Sequence, residues 1–386
     1  MRQLFSRRTV RAGGVGVLVL LLPLGGSMTA SAAPAHHAVD AGSAWGWGRG
    51  AVGDGTWDDR YAPVPVAGLD SVTAVSTGDY HSLALDADGT VWAWGAGWYG
   101  QLGDGEATSQ PSPIHVPQLS QVVGVSVGAL HSLALRADGT VWAWGYNHHG
   151  QLGDGTTTQR DTPVQVHGLA DVVAVSANGW DNFAVRRDGT VWGWGYNTEG
   201  ELGDGTTIER LSPVLIAGLH DITAVAAGTE HSLALQSDGT VWSWGVNIYG
   251  ELGDGTTRSR LSPGRVRGLH HVTAISADEY VSVALRRNRS AWAWGWNYRG
   301  QLGDGTLTER HLPARVKLHD AVAIDTGSGH GVALLADGTV VAWGRNNHGQ
   351  LGDGTHHSHR RPRPVVDLDG VTSIGAGGTR AFAVTG

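Results

Sequence analysis

Four sets of residues in this chain have the types and spacing of chemical machinery. Gly124–Gly128 reads GVSVG, the G-x-S-x-G pattern that presents a nucleophilic serine on a sharp strand-to-helix turn. His81, His131, His231 and His330 recur at one point of a repeated phrase, and His356, His357 and His359 crowd one loop, which raises imidazole ligation of a metal. The strings LGDGT and DADGT set Asp among glycines, as calcium loops do. Asp181, Glu230 and Glu279 occupy equivalent stretches of three repeats; two carboxylates roughly 5–9.5 Å apart would suit glycoside hydrolysis.

The elements that carry these residues decide between chemistry and structure. GVSVG aligns with AVSTG and AVSAN elsewhere, so its serine belongs to a strand with no helix after it. Histidines one repeat apart stand too far from each other to share one ion at ligand distances of about 2 Å. A hydrogen bond from imidazole to the backbone at the strand start is expected instead, and HHSHRR is expected to be solvated. Each GDG string offers one carboxylate without alternating oxygens or a closing Glu, and reads as a turn. No catalytic residue, metal or cofactor is assigned, and the expectation is a non-enzyme. With no Cys in 386 residues, thiol chemistry and disulfides are excluded.

The repeated phrase is WAWGYNHHGQLGDGT at Trp142–Thr156, with copies from Trp92, Trp192, Trp242, Trp292 and Val341 and a shorter one, WGWGRGAVGDGT, from Trp45. Trp47, Trp94, Trp144, Trp194, Trp244, Trp294 and Trp343 mark one position at spacings of 47 to 50 residues, a period of arrays and propellers. One unit, Val172–Leu219, holds four short strands: VVAVS, NFAV, TVWGWG and PVLI. Asp-Gly-Thr between the second and third is a hairpin turn. No stretch has helical periodicity. Within VWAWG both Trp point to one face and small residues to the other, so copies of the sheet should stack with Trp between them. The first unit begins at SAWGWG and the last ends at VTSIGAGGTRAFAVTG. Each fragment is the half that the other lacks. An all-β ring of seven four-stranded blades follows, closed by pairing of the two terminal segments.

The unit VxxVSxGxxHSLALxxDGTVWAWGxNxxGQLGDGTTxxRxxPVxV resembles the repeat of the regulator of chromosome condensation family over Ala44–Gly386. The resemblance implies a seven-bladed propeller. Members of that family include a nuclear exchange factor for a small GTPase, a plant UV-B photoreceptor and a secreted bacterial inhibitor of β-lactamases. The setting is similar to that of the inhibitor, whose unit is shorter and lacks LGDGT. The photoreceptor relies on clustered Trp and Arg at the strand-two rim, where this chain has Trp180 and Arg380 alone, so light sensing is not expected.

Variation collects where strand two begins and strand three ends, and antiparallel geometry brings both places to one rim. The candidate binding residues there are Asp79, Tyr80, Trp98, Tyr99, His148, His149, Trp180, Asp181, Glu199, Glu230, Tyr249, Glu279, Tyr280, Trp296, Tyr298, Arg299 and Arg380. Thirteen of 17 Trp belong to the repeated frame, and three of the other four fall in these stretches. Aromatic rings beside acids suit an interface, and loops on a rigid scaffold are the usual place for recognition. The plainer alternative is that rings such as Trp296 and Tyr280 fill gaps between blades. Residues such as YNHH are expected to vary because no neighbouring blade depends on them.

The N-terminus joins a basic stretch, MRQLFSRRTVRAGG, to the apolar VGVLVLLLPLGG and to Ala30-Ser31-Ala32. Residues 1–32 therefore read as a signal peptide, with Arg7-Arg8 in the manner of a twin-arginine signal and the general secretory route as its rival. Residues 33–43 read as a short lead and 44–386 as the propeller. Loss of 1–32 removes four Arg and no acid, taking the net charge from −8 to −12. An acidic body without a basic stripe argues against nucleic acid and anionic membranes. The expectation is a secreted, soluble monomer that binds an extracellular protein, as an enzyme inhibitor could. Cell-wall glycan binding is the alternative, and exchange-factor activity is a remoter one.

Overall fold

The computed structural model describes residues 42–386, and the expectations for 1–32 and for 33–41 lie outside these. Gly42 and Ser43, the last residues of the lead, hydrogen-bond to Val72 and Thr385. Twenty-eight strands form seven four-stranded antiparallel sheets. Blade 1 runs from the axis outward as β3 (Val72–Thr77), β4 (His81–Asp86), β5 (Val91–Gly95) and β6 (Gln110–His115). Blades 2 to 6 repeat it over 122–165, 172–215, 222–265, 272–315 and 321–364. Blade 7 is composite: β27 (Val371–Gly377) and β28 (Arg380–Thr385) lie inside, β1 (Ala44–Gly48) and β2 (Arg60–Pro65) outside. Trp45 faces Ala383 and Trp47 faces Ala381 across the β1–β28 pair, so the ring closes through its two ends, as the sequence predicts.

Each outer strand carries a central proline, Pro63, Pro113, Pro163, Pro213, Pro263, Pro313 or Pro362. Proline lacks an N–H and blunts an otherwise pairable edge. Seven apolar clusters fill the seven gaps between blades, each containing the second Trp of the frame from one of the two blades. All seven of these rings are 0% exposed. At about 150–250 Å² each and ~25 cal/mol per Å², each contributes about 4–6 kcal/mol of transfer free energy. Six of their indole N–H groups donate across the gap to the carbonyl of Gln101, Gln151, Glu201, Glu251, Gln301 or Gln350 at 2.6–3.0 Å. Trp94 is the exception. The blade before it carries the shortened phrase, with Ala51 in the Gln position, and among the described residues its indole N–H has no hydrogen-bond partner. The first Trp of the frame shares the face but is only half-buried; Arg136, Arg186 and Arg286 lie over Trp142, Trp192 and Trp292 at 5.6–5.9 Å.

Candidate binding interface

Strand three ends on a glycine for a local reason. At Gly95 φ is +109°, and a Cβ there would stand 2.5 Å from the Tyr80 carbonyl oxygen. That close approach joins the two variable stretches: Ala96, Tyr146, Tyr196, Val246 and Trp296 each donate a backbone N–H to the residue before the histidine position. The predicted convergence on one rim is therefore present.

The loop that follows is less free than expected. Its Asn is buried in five blades (Asn147, Asn197, Asn247, Asn297, Asn346). In each, Oδ1 accepts the N–H of the leucine in GQL or GEL, and Nδ2 donates to two carbonyls nine and eleven residues on. The neighbouring Gln or Glu accepts the N–H two residues before it. The reading that no adjacent blade depends on these loops is corrected. His149 Nδ1 meets Glu209 of the next blade at 2.7 Å, and His348 Nδ1 meets Asp59 at 2.8 Å. The first, third and fourth positions after WxWG change from blade to blade, and the fourth reaches the next blade where it is His149 or His348.

The histidines act between blades. Nε2 of His81, His131 and His231 bonds to Ser132, Asn182 and Ser282 of the next blade at 2.6–2.8 Å. For His81 and His131 a neighbouring side chain takes the place of the expected bond to the backbone, while His231 also feels the Glu279 backbone. Burial pulls these imidazoles down, His81 to about 3 and His131, His231 and His330 to about 4. For His330 the next blade offers Ala381 in the serine position, so among the described residues its ring makes no side-chain hydrogen bond across the gap. Asp181 and Arg380 occupy the same position in their own blades, and this corrects their reading as rim contacts: they are 1% and 6% exposed. Burial and the nearby Glu201 push the Asp181 carboxyl well up. Burial lowers Arg380 to about 10 against the attraction of Asp79, while its guanidinium donates to the carbonyls of Arg49 and Gly78.

The remaining candidates gather into three aromatic groups. Tyr80 and Trp98, 44% and 60% exposed, stand 6.1 Å apart. Tyr99, Tyr146, Trp180, His149 and Tyr196 form a chain of contacts at 5.0–6.1 Å across three blades, with His148 exposed beside Tyr146. Tyr249, Tyr280 and Trp296 touch one another at 5.2–6.2 Å, Tyr298 stacks on Trp296, and Arg299 lies over Tyr298. Tyr280 and Trp296 are half-buried, so they fill a gap and also face out. Tyr146 and Tyr196 were absent from the candidate residues. They share a position with Trp296, the first after WxWG, and that register was the available signal.

Acids lie between and beside these rings. Glu199 is exposed, and Glu230 and Glu279 are half-buried. Burial and then Glu199 raise Glu230; burial and Asp79 raise Glu279 against Arg345. Asp79 is reached by solvent in the ring mouth yet surrounded by protein, and burial raises it against Arg380, Ser328 and Arg49. Behind it Asp278, also outside the candidate residues, is buried and bridges blades: Oδ1 accepts from Asn178 at 3.2 Å and Oδ2 from the Gly378 N–H at 3.3 Å.

The motifs with chemical spacing are structural. Ser126 of GVSVG is buried, and its Oγ accepts the Ala177 N–H of the next blade at 2.9 Å. In the GDGT strings, Asp54, Asp154, Asp204, Asp254 and Asp304 pair with an Arg six residues on at 2.5–3.0 Å, and His359 takes that place opposite Asp353 at 2.8 Å. Burial opposes ionisation of these Asp, but bonds from Thr and from the Arg or His outweigh it and hold them low. Among the described residues no group of three His, Cys, Asp or Glu converges as a metal site. Nor is any helix there long and apolar enough to cross a membrane.

Residues 115–386 match the model described as RCC1-like domain, and 41–85 and 88–135 match the regulator of chromosome condensation (RCC1) repeat. Prp20p of Saccharomyces cerevisiae, a structure reported with its binding to Gsp1p and histones, is similar at 21% identity and TM-score 0.80, over 90% of this chain and 92% of that one. Human WBSCR16 is similar at 24% identity and TM-score 0.80, over 89% and 100%. These likenesses are of fold. The Arabidopsis thaliana mitochondrial RCC1 domain-containing protein RUG3 is 41% identical over 66 residues, which span 16% of this chain and 15% of that protein.

Proposed function

The chain belongs to the RCC1-like family, and from that premise we propose that it is a binding module whose aromatic and acidic rim holds a protein partner. Its propeller fold is one that commonly mediates protein–protein interaction. The observation that carries the reading is the distribution of exposed rings. Tyr80, Trp98 and Tyr298 are 44–67% exposed on one rim, joined there by half-buried Tyr99, Trp180 and Tyr249. A rigid ring presents them at little cost in ordering, which favours tight association. Trp and Tyr in such settings dominate interface energetics. The mode of action is steric occupation of the partner, inhibitory where the partner is an enzyme, with no reaction at the rim. The order of charges and apolar residues in 1–32 supports an extracellular setting.

The test compares the immobilised full chain with a Trp180→Ala/Tyr80→Ala double variant in the medium of the producing cells. Loss of a saturable protein partner in the variant supports the reading. Retention on cell-wall glycan alone, equal in both, would overturn it.

A further inference from the structure

One sector of the rim carries unmet negative charge on top of its rings. Tyr249, Tyr280 and Trp296 pack together, and Tyr298 extends the surface outward, stacked on Trp296 with planes 11° apart and 67% exposed. Glu230, Glu251 and Glu279 all act on the Tyr280 phenol. Among the described residues none of these three carboxylates has an ion-pair partner within 4.0 Å. Glu251 is fully buried, and its Oε1 has no hydrogen-bond partner. Arg345, whose charge reaches Glu279, and Arg299, whose guanidinium sits 5.5 Å from the Tyr298 ring centre, are cations that face the sector.

Both components ask for the same ligand. An aromatic face attracts a cation through its quadrupole, and a partly buried carboxylate without a counter-charge gains most from a charge-assisted hydrogen bond. A sugar would satisfy the rings but offer the carboxylates only neutral hydroxyl donors without a counter-charge, and an acidic segment would be repelled. Guanidinium answers both demands because it is planar, stacks on rings and grips carboxylate with two N–H groups. Arg299 over Tyr298 is an internal instance of the stacking half.

We propose that the Tyr249–Tyr280–Trp296–Tyr298 surface with Glu230 is the docking point for an arginine side chain of the protein partner. Glu230 takes the guanidinium edge, and Trp296 and Tyr298 take its face. This rests on the reading of the rim as a protein-binding surface.

Calorimetric titration of the full chain with acetyl-Gly-Arg-Gly-Arg-Gly-amide, its Lys and Glu counterparts, and cellohexaose tests it. The Arg peptide should bind most tightly, Lys more weakly, and the Glu peptide and sugar not at all. Glu230→Gln, which keeps the shape and the backbone bond to Val246, should weaken the Arg peptide about tenfold, the size of one charge-assisted bond. Asp70→Asn, an exposed change on the opposite rim, should leave it unchanged. No Arg-peptide binding at millimolar concentration, equal binding by Arg and Glu peptides, indifference to Glu230→Gln with an unaltered melting temperature, or cellohexaose binding in place of the Arg peptide would each overturn it. A protein partner lost on Trp180→Ala/Tyr80→Ala but held undiminished by Glu230→Gln would sink this inference and leave the rim reading standing. Peptide binding without any protein partner would sink the rim reading instead.

Discussion

At the scale of single residues, a repeat exposes each position to comparison with its own copies. Gln101, Gln151, Gln301 and Gln350 cap the rim loop through Oε1, and Glu201 and Glu251 do so with a carboxylate oxygen. Burial pushes Glu251 up to about 7, with Glu230 and Glu309 adding to it. The folded value lies above the ordinary 4.5, so the protonated folded form is favoured at low pH, and that advantage is lost as pH rises from 4.5 through 7. Glu251→Gln should therefore leave stability unchanged near pH 4 and raise it by about 2–3 kcal/mol above pH 7. Denaturant unfolding of both proteins at pH 4, 6 and 8 checks this, and an equal difference at all three would contradict it. The place of such residues in the repeat was legible in the sequence; their burial was not. Asp181 reads as a rim acid because its place follows Trp180, yet the next blade covers it, and no local pattern encodes that cover.

At the scale of elements, the four strands and the DGT turn were readable because alternation and turn chemistry are local. Blade 5 departs from its copies at this turn: Arg289 holds φ +62° where Gly89, Gly139, Gly189, Gly239 and Gly338 hold +77° to +89°. A side chain in that region costs roughly 1–2 kcal/mol. Arg289→Gly should raise the melting temperature by a few degrees, and a lower value would show that the Arg side chain makes a compensating contact. The rim loop was less legible. Its Asn looked like part of a variable quartet, whereas Asn247 alone satisfies the Leu252 N–H and the carbonyls of Thr256 and Arg258. Asn247→Ala should cost about 2–4 kcal/mol, since each buried backbone group left unpaired costs ~1–3; chemical denaturation measures it, and a loss below 0.5 kcal/mol would show that water replaces the side chain.

At the scale of the whole molecule, the complementary half-blades at the two ends foretold closure, which is a property of the chain as a whole. Deleting residues 379–386 removes β28 and with it the pairing of Trp45 and Trp47 to Ala383 and Ala381. The opened ring should lose its single cooperative unfolding transition in calorimetry, and an unchanged transition would contradict the closure account. What the closed ring positions is a rim of rings and acids with its scaffold residues turned inward. The most direct test of that rim is the binding stoichiometry and affinity of the captured partner for the native chain and for Trp180→Ala/Tyr80→Ala. The account predicts one partner per ring for the native chain and a loss of affinity of at least about tenfold in the variant, with the melting transition unchanged. Equal affinity in both, or retention by cell-wall glycan with no protein bound, would contradict it.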